Sequence, residues 1–149
     1  MTIVEEHVFP VGREELWAVL HDAQQMAKWI PGCERLEEIA PDRYAATLKV
    51  GVASIKGSYT GVVEILDKHF PDHYTLAVEG RATPGFVKGT AKLELSAMSD
   101  GRTKLVVNGD AQVGGLIASV GQRFLAGIAR QMTQQLLKNI EKEVLEVAR

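Results

Sequence analysis

The chain has 149 residues, of which 46% are hydrophobic and 24% charged, and this size and composition suit a single globular domain over residues 1–149. The formal net charge is −2 and no run of like charge stands out, which argues against a nucleic-acid-binding protein. Cys33 is the only cysteine, so an intramolecular disulfide and a cysteine-rich metal site are both excluded. The amino-terminal residues include Glu5 and Glu6 and no long apolar run, so we expect neither a secretory signal nor a membrane span.

The first forty residues predict one strand and two short helices, followed by a further short strand. β-Branched residues favour a strand over Thr2–Phe9. Apolar residues at helical spacing predict a helix over Arg13–His21, and a shorter helical stretch over Ala23–Trp29 ends at the Pro31-Gly32 breaker. Residues 34–40 are expected to add a short strand before the main sheet.

Five segments with regular alternation of apolar and polar residues come next, which is the pattern of an antiparallel meander with one face in water. Pro71-Asp72, Pro84-Gly85 and Asp100-Gly101 mark turns between them. The predicted inward set is apolar or small throughout and consists of Tyr44, Ala46, Leu48, Val50, Val52, Tyr59, Gly61, Val63, Ile65, Tyr74, Leu76, Val78, Gly80, Ala82, Val87, Gly89, Ala91, Leu93, Leu95, Leu105, Val107, Gly109, Ala111 and Val113.

After Gly114-Gly115 the helical period returns and predicts one helix to the C-terminus, about 50 Å long at 1.5 Å per residue. Its apolar stripe is Ile117, Val120, Phe124, Ile128, Met132, Leu136, Ile140 and Val144. Gly121 and Gly127 would each cost roughly 0.8–1.0 kcal/mol relative to Ala inside a helix. We therefore expect a sheet or a ligand to pack closely against them.

This order of elements predicts an α+β helix-grip fold, in which a curved antiparallel sheet of about six or seven strands wraps around the long C-terminal helix. Small residues occupy inward positions on several strands where a filled core would carry larger ones; they are Ala46, Gly61, Gly80, Gly89, Ala91, Gly109 and Ala111. Glycine inside a strand marks a bend or the close approach of a backbone or ligand. Two interpretations stay open: sheet curvature with tight packing against the helix, or an elongated apolar cavity.

The inward positions offer no group for proton transfer or for metal binding. They carry no acid, no base and no histidine, whereas general acid–base catalysis needs a titratable group at the reacting proton. The four histidines lack a metal-ligand spacing and no nucleophile motif is present, so we predict no catalytic and no metal-binding residues. The phenols of Tyr44, Tyr59 and Tyr74 would either hydrogen bond a mostly apolar ligand or simply pack half-buried.

From this pattern we predict the residues around an apolar ligand. The expected lining is Tyr44, Tyr59, Gly89, Val113, Ile117, Val120 and Phe124, with Trp29 and Phe86 at the mouth. Residues 26–31 would close one end of the cavity or rest on a membrane, and Pro84-Gly85-Phe86 would form a second lid. Core packing is the alternative for Trp29.

Several short motifs, in this order, carry a family resemblance: Glu15-Leu16-Trp17, Ile30-Pro31-Gly32-Cys33-Glu34, Leu48-Lys49-Val50-Gly51, Lys56-Gly57-Ser58-Tyr59-Thr60-Gly61, Gly85-Phe86-Val87-Lys88-Gly89 and residues 113–123. Over nearly its whole length the chain resembles the carbon monoxide dehydrogenase G-subunit family, within the START-like, polyketide cyclase-like helix-grip superfamily. The resemblance implies a non-catalytic accessory of a molybdenum hydroxylase of the carbon monoxide dehydrogenase type, with an apolar tunnel for a quinone or other lipid-like molecule.

The same resemblance bears on location and on the competing functions. Many members of that family continue into a membrane-anchoring segment, whereas this sequence ends at Arg149, so we expect a cytoplasmic protein with at most transient contact at the inner face of the membrane. The leading hypothesis is a carrier of an apolar ligand. The alternatives are an assembly factor or chaperone for such a complex, and a cyclase-like or hydrolase-like enzyme of the same superfamily.

Overall fold

The computed structural model describes residues 1–51, 55–82 and 85–147. These residues form seven strands, three α-helices and a 3₁₀ segment. In chain order the elements are β1 (Thr2–Phe9), α1 (Arg13–His21), α2 (Ala23–Trp29), β2 (Cys33–Ala40), β3 (Arg43–Val50), β4 (Gly57–His69), β5 (His73–Ala82), β6 (Gly85–Ala97), β7 (Thr103–Gly114), the 3₁₀ segment (Gly115–Val120) and α3 (Gln122–Val147).

The seven strands form one antiparallel sheet in the order β1-β7-β6-β5-β4-β3-β2. β2 to β7 follow one another as a meander, because short turns allow consecutive antiparallel strands to pair directly. β1 crosses over to pair with β7 along its whole length, so β1 and β2 are the two edges of the sheet. The predicted helix-grip fold is confirmed, with the two short helices after the first strand and the long helix last.

Strand register brings the predicted inward residues into rows across the sheet. One row of directly paired residues, the Val78 row, is Tyr44, Val63, Val78, Gly89 and Ala111. The next, the Gly80 row, is Ala46, Gly61, Gly80, Val87 and Val113. Side chains in one row point to the same face, so these positions form a continuous inner surface. Val52 and Pro84, which the sequence placed on the inner face and in a turn, lie outside the described residues.

Two separate clusters of buried side chains hold the sheet and the helices together. The larger cluster lies where α1, α2 and the C-terminal half of α3 cover the sheet, and it includes Phe9, Leu16, Leu20, Met26, Trp29, Tyr74, Leu105, Leu137, Ile140 and Val144. The smaller cluster consists of Ile55, Tyr59, Ile117 and Leu125, near the start of α3. The buried core is therefore divided into two parts, with the middle of the inner face between them.

The C-terminal helix begins later than the sequence predicted. Strand β7 continues to Gly114, a 3₁₀ segment follows, and Gly121 with φ of 97° separates that segment from α3. α3 has 26 residues and is therefore about 39 Å long rather than 50 Å. The apolar spacing over residues 115–120 suits a 3₁₀ turn as well as an α-helix, which is why periodicity alone missed the break. None of the helices in the described part of the chain has the apolar length that crossing a membrane requires.

The two glycines expected inside the helix do not serve close packing. Gly121 lies outside α3 and adopts a left-handed conformation that glycine tolerates without strain. Gly127 lies within α3 and is exposed, and a Cβ atom added there would meet nothing within 4 Å. The expectation that the sheet packs against both residues is therefore wrong, since neither has a close neighbour in the described part of the chain; packing of a ligand against them stays a prediction.

Candidate functional site

The middle of the sheet's inner face is incompletely covered by α3. The helix makes its close backbone approaches to β1, α1, α2 and the 3₁₀ segment. Val63, Val78 and Val87 face inward between the two core clusters and belong to neither. Val78 is 41% exposed although its register neighbours are inward-facing. Val78 also lines a hollow on the outer face, described below, so the open space on the inner face is shown by other residues. Val63 and Val87 are only partly buried, and a Cβ atom added at Gly80 would meet nothing within 4 Å, so the Val78 and Gly80 rows form the floor of the candidate site.

A small hollow lies at one end of these rows, between β7, the 3₁₀ segment and the start of α3. Its volume is about 340 Å³, and its lining is Met1, Ala111, Gln112, Val113, Ala118, Gln122 and Leu125. Ala111 ends the Val78 row and Val113 ends the Gly80 row, so the hollow opens onto the same inner surface. Gln112 alternates toward the outer face of the sheet, which leaves the Gln122 amide as the polar side chain of a mostly apolar lining. The Met1 ammonium group is engaged within the protein, by the Ala111 carbonyl oxygen at 2.9 Å and the Asp110 carboxylate at 3.4 Å. An amide is an uncharged donor and acceptor suited to a neutral ligand.

The inner-face glycines have two different structural roles. A Cβ atom added at Gly61 would collide with the Glu79 carbonyl oxygen and lie 2.9 Å from the Gly80 Cα atom. A Cβ atom at Gly89 would lie 2.7 Å from the carbonyl oxygen of Asp110. Both positions are glycine because the neighbouring strand approaches too closely for a side chain. At Gly80 an added Cβ would meet nothing within 4 Å, so this glycine leaves room above the sheet.

The two tyrosines of the predicted lining are buried within the core clusters. Tyr59 donates its hydroxyl proton to the Ile55 carbonyl oxygen at 2.7 Å, and burial raises the pKa of this phenol. Burial, together with the nearby Glu38 carboxylate, raises the pKa of Tyr44 to about 12. Both phenols are therefore neutral at physiological pH, and the Tyr59 proton is engaged within the protein.

Trp29 lies in the larger core cluster, which corrects its expected place at the mouth. Its side chain is 5% exposed, and the indole Nε1 donates to the Val19 carbonyl oxygen at 3.3 Å. Its own carbonyl oxygen accepts a hydrogen bond from Asn139 Nδ2 at 3.2 Å. Trp29 therefore links α1, α2 and α3. The Pro-Gly breaker beside it suggested a loop, but the indole turns back into the helical core.

The remaining predicted residues lie around the start of α3, with different exposures. Ile117 is buried in the smaller cluster and Val120 packs at its border. Phe124 is 44% exposed, and Leu125 takes the inward place that the predicted stripe assigned to Phe124. Phe86 is also 44% exposed, and its ring lies against Gly114. Because α3 starts only after Gly121, its inward-facing residues differ from those of a helix that starts at Gly115. The apolar pattern of residues 115–120 does not predict this break.

Two histidines lie on the covered side of the sheet, where the inward set predicted from the other strands has none. His7 of β1 pairs in register with the inward-facing Leu105, and its Nε2 hydrogen bonds Glu141 of α3 at 2.8 Å. The other is His21 of α1. The His21 ring stacks on Trp17 with centroids 4.1 Å apart and meets Tyr74 edge-on at 4.4 Å. Its Nδ1 donates to the Trp17 carbonyl oxygen at 2.8 Å, while Nε2 is buried and finds no partner among the described residues. Burial lowers the pKa of His21, so the ring is neutral near pH 7. Because it lies in the filled part of the core, it does not border the Gly80 row.

A larger hollow of about 590 Å³ lies on the opposite, outer face of the sheet, and no pattern in the sequence indicated it. Its lining includes Gly61, Val78 and Gly89 of the two rows and the charged residues Arg43, Glu64, Glu79, Arg81, Lys88 and Asp110. Arg43 pairs with Glu64 at 3.7 Å, and Arg81 pairs with Glu79 at 3.4 Å. A polar groove of mixed charge does not suit an apolar ligand. The described residues contain no cluster of His, Cys, Asp or Glu side chains that would hold a metal ion.

Solved structures of similar fold cover almost the whole chain. A conserved protein from Geobacillus kaustophilus is 36% identical, with 98% of this chain and 96% of that chain covered and a TM-score of 0.94. A START superfamily protein from Mycobacterium smegmatis is 12% identical, with 98% of both chains covered and a TM-score of 0.78. The Zhui aromatase/cyclase from a Streptomyces species is 18% identical, with coverages of 100% and 96% and a TM-score of 0.73. The last two show the fold alone.

Sequence comparison with protein families gives a more specific result. No curated protein matches the chain. The family model for the carbon monoxide dehydrogenase G subunit (CoxG) matches residues 6–145, which include nearly all of the sheet and of α3. A match of this extent covers both the inner surface and the helix that faces it. The chain belongs to the CoxG family, named for the G subunit of carbon monoxide dehydrogenase.

Proposed function

We propose that the protein binds an apolar, quinone-like or lipid-like molecule between the inner face of the sheet and α3, without transforming it. The observation that carries this proposal is the open floor between the two core clusters. Val63 and Val87 face inward yet are only partly buried, and Gly80 has free space above it. Apolar surface left open in this way favours a ligand, since its burial contributes about 25 cal/mol per Å² removed from water.

The polar groups near this floor favour a neutral ligand with a few hydrogen-bond acceptors. Gln122 lines the small hollow and can donate amide protons to a carbonyl oxygen. Tyr59 contributes shape rather than a hydrogen bond, because its hydroxyl already bonds Ile55. A quinone fits this description, with an apolar ring and two carbonyl oxygens. We propose that its surroundings are the predicted set without Trp29, namely Tyr44, Tyr59, Phe86, Gly89, Val113, Ile117, Val120 and Phe124.

A carrier role is favoured over catalysis by the character of the same surface. Two histidines lie on the covered side of the sheet: His7 of β1 is engaged by Glu141 of α3 at 2.8 Å, and His21 is enclosed by Trp17 and Tyr74 in the filled part of the core. General acid–base catalysis requires a titratable group within about 2.6–3.2 Å of the reacting proton, and the floor residues supply none. We therefore propose a non-catalytic protein, although one structure of similar fold is an aromatase/cyclase.

The family description connects this carrier to an oxidoreductase. We propose that the protein acts in the cytoplasm as an accessory to a molybdenum hydroxylase of the carbon monoxide dehydrogenase type. The family name supports the kind of partner. A carried quinone would accept electrons from such an enzyme and exchange them at the inner face of the membrane.

Native mass spectrometry on protein purified from its own host, followed by organic extraction, tests the proposal. We expect a bound apolar molecule at up to one per chain, identified as a quinone or related lipid after extraction. Protein that is empty and also fails to bind added quinones would contradict the carrier function. That result would favour an assembly factor, and an altered molecule released after incubation would favour an enzyme.

A further inference from the structure

We infer that one end of the molecule docks on an anionic lipid surface. This end, the mouth end, consists of residues 31–34, 49–51, 55–58, 81–82, 85–88 and 112–124. It holds the ends of β3, β5 and β7 and the starts of β2, β4, β6 and α3, next to the small hollow. The inference rests on the proposed function and extends it, by naming the surface through which an apolar ligand would enter.

Large apolar side chains are exposed on three elements of the mouth end. Leu116 in the 3₁₀ segment is 71% exposed, and Phe86 of β6 and Phe124 of α3 are each 44% exposed. Phe86 pairs with Gly114 across β6 and β7, and Gly114 is two residues from Leu116 along the chain. Exposed apolar residues gathered at one place mark a contact surface for a protein or a membrane.

The charges around these side chains are almost all positive. The mouth end carries Lys49, Lys56, Arg81, Lys88 and Arg123 and a single acid, Glu34, although the whole chain has a net charge of −2. A second acid, Glu79, lies just outside it, paired with Arg81 at 3.4 Å and opposite Lys88 in the strand register. Among the described residues, the four cations other than Arg81 have no acidic partner within 4 Å. Arg123 also lies in the first turn of α3, where the helix dipole disfavours a cation. Helix stability therefore does not explain its position.

The opposite end of the sheet does not combine exposed apolar side chains with unpaired cations among the described residues. Phe70 is 61% exposed there, in the turn between β4 and β5, but Asp67 and Asp72 flank it. Cations of that end are paired, as in the contact of Lys68 with Asp42 at 2.6 Å and of Arg102 with Asp100 at 2.7 Å. Of the two ends, as far as the structure describes them, the mouth end alone combines exposed apolar side chains with an excess of unpaired positive charge.

This combination matches the surface of an anionic bilayer. Apolar side chains insert at the boundary of headgroups and acyl chains, and Lys and Arg are attracted to anionic headgroups. Each juxtamembrane cation strengthens binding about fivefold, and the effect falls off within a Debye length. Inserted apolar side chains and attracted cations together bind far more weakly than a membrane-spanning helix, so we expect reversible docking.

Co-sedimentation of the full chain with vesicles tests the inference. Vesicles of phosphatidylcholine with about one third phosphatidylglycerol are compared with pure phosphatidylcholine, at low and high NaCl. We expect binding to the anionic vesicles only, weakened at high salt. The double variant Lys56→Glu/Arg123→Glu should lower the partition coefficient by at least about 25-fold. Leu116→Gln should weaken binding with unchanged thermal unfolding, because Leu116 is mostly exposed.

A matched control is Lys138→Glu/Lys142→Glu, which makes the same charge change at exposed positions in the C-terminal half of α3. This control should bind like the unaltered protein. Absent binding to anionic vesicles, or equal losses in both double variants, would overturn the inference. A dimer in solution that Leu116→Gln dissociates, without vesicle binding, would also overturn it and assign this end to a second copy. Quinone binding measured in the same variants separates the two proposals, since docking can be lost while the ligand is still bound.

Discussion

Gly61 and Gly80 are directly paired on β4 and β5, yet we predict opposite effects of the same substitution to alanine. At Gly61 the new methyl group would collide with the Glu79 carbonyl oxygen, which is held in the sheet ladder. At Gly80 the methyl group would meet nothing within 4 Å, and the backbone there is not left-handed. The pair therefore separates glycine required by close strand approach from glycine that leaves open space.

The expected magnitudes follow from this difference. Overpacking costs about 1–3 kcal/mol, and the Gly61 contact is with backbone that cannot rotate away, so we expect a net loss of about 2 kcal/mol for Gly61→Ala. Gly80→Ala should gain about 0.5–1 kcal/mol, since alanine loses less conformational entropy on folding. For a domain of this size the shifts in Tm are about −4 to −8 °C and about +1 to +4 °C.

Thermal unfolding followed by circular dichroism measures both variants under the same conditions. Urea unfolding of the same samples gives the free energies directly. A Gly80→Ala variant with Tm lowered as much as in Gly61→Ala would refute this explanation, because the space above Gly80 would then be filled. A Gly61→Ala variant as stable as the unaltered protein would refute it equally.

Three further predictions concern side chains of the core. Tyr59→Phe should lower the free energy of unfolding, measured in urea, by about 1–3 kcal/mol, because the buried Ile55 carbonyl oxygen loses its hydrogen-bond donor. The affinity for quinone should stay within about threefold. A large loss of affinity with unchanged stability would contradict this prediction. Trp29→Ala should destabilise by about 3–5 kcal/mol in the same assay, as expected of a core residue rather than a lid, and a stable variant would contradict its assignment. Burial lowers the pKa of His21, so the stabilising contribution of its neutral ring is fully present above pH 6.5, the ordinary pKa of histidine, and declines as the pH falls below that value. His21→Phe should therefore flatten the urea midpoint as a function of pH below 6.5, and an unchanged slope would contradict this explanation.

The sheet could be predicted from the sequence because the alternation of apolar and polar residues, with one solvent-exposed face, fixes the face on which each side chain lies. The Val78 and Gly80 rows follow from that alternation once the strands pair in order, since a slip of one residue would turn apolar side chains to water. The cross-over of β1 to β7 and the two short helices agree with the family resemblance as well as with the local patterns. The fold was therefore accessible from both sources.

The details of the site were less accessible because they depend on tertiary contacts. Whether a glycine serves a close strand approach, as at Gly61 and Gly89, or leaves space, as at Gly80, depends on the neighbouring backbone. The start of α3 depends on the φ of Gly121, and Leu125 replaced Phe124 at the inward position as a consequence. Trp29 belonged to the core because its indole reaches Val19, a contact that no local pattern encodes.

The most direct test of ligand binding above the sheet fills the proposed space and compares it with an added side chain on the outer face. Gly80→Leu adds a side chain above the inner floor, and Ala77→Leu adds volume on the same strand, toward the outer groove. Binding of a short-chain ubiquinone is to be measured by equilibrium dialysis, once circular dichroism has shown that both variants are folded. We predict at least about tenfold weaker binding for Gly80→Leu, about 1.4 kcal/mol, and unchanged binding for Ala77→Leu. Equal affinity in both variants would show that the ligand does not bind between the sheet and α3.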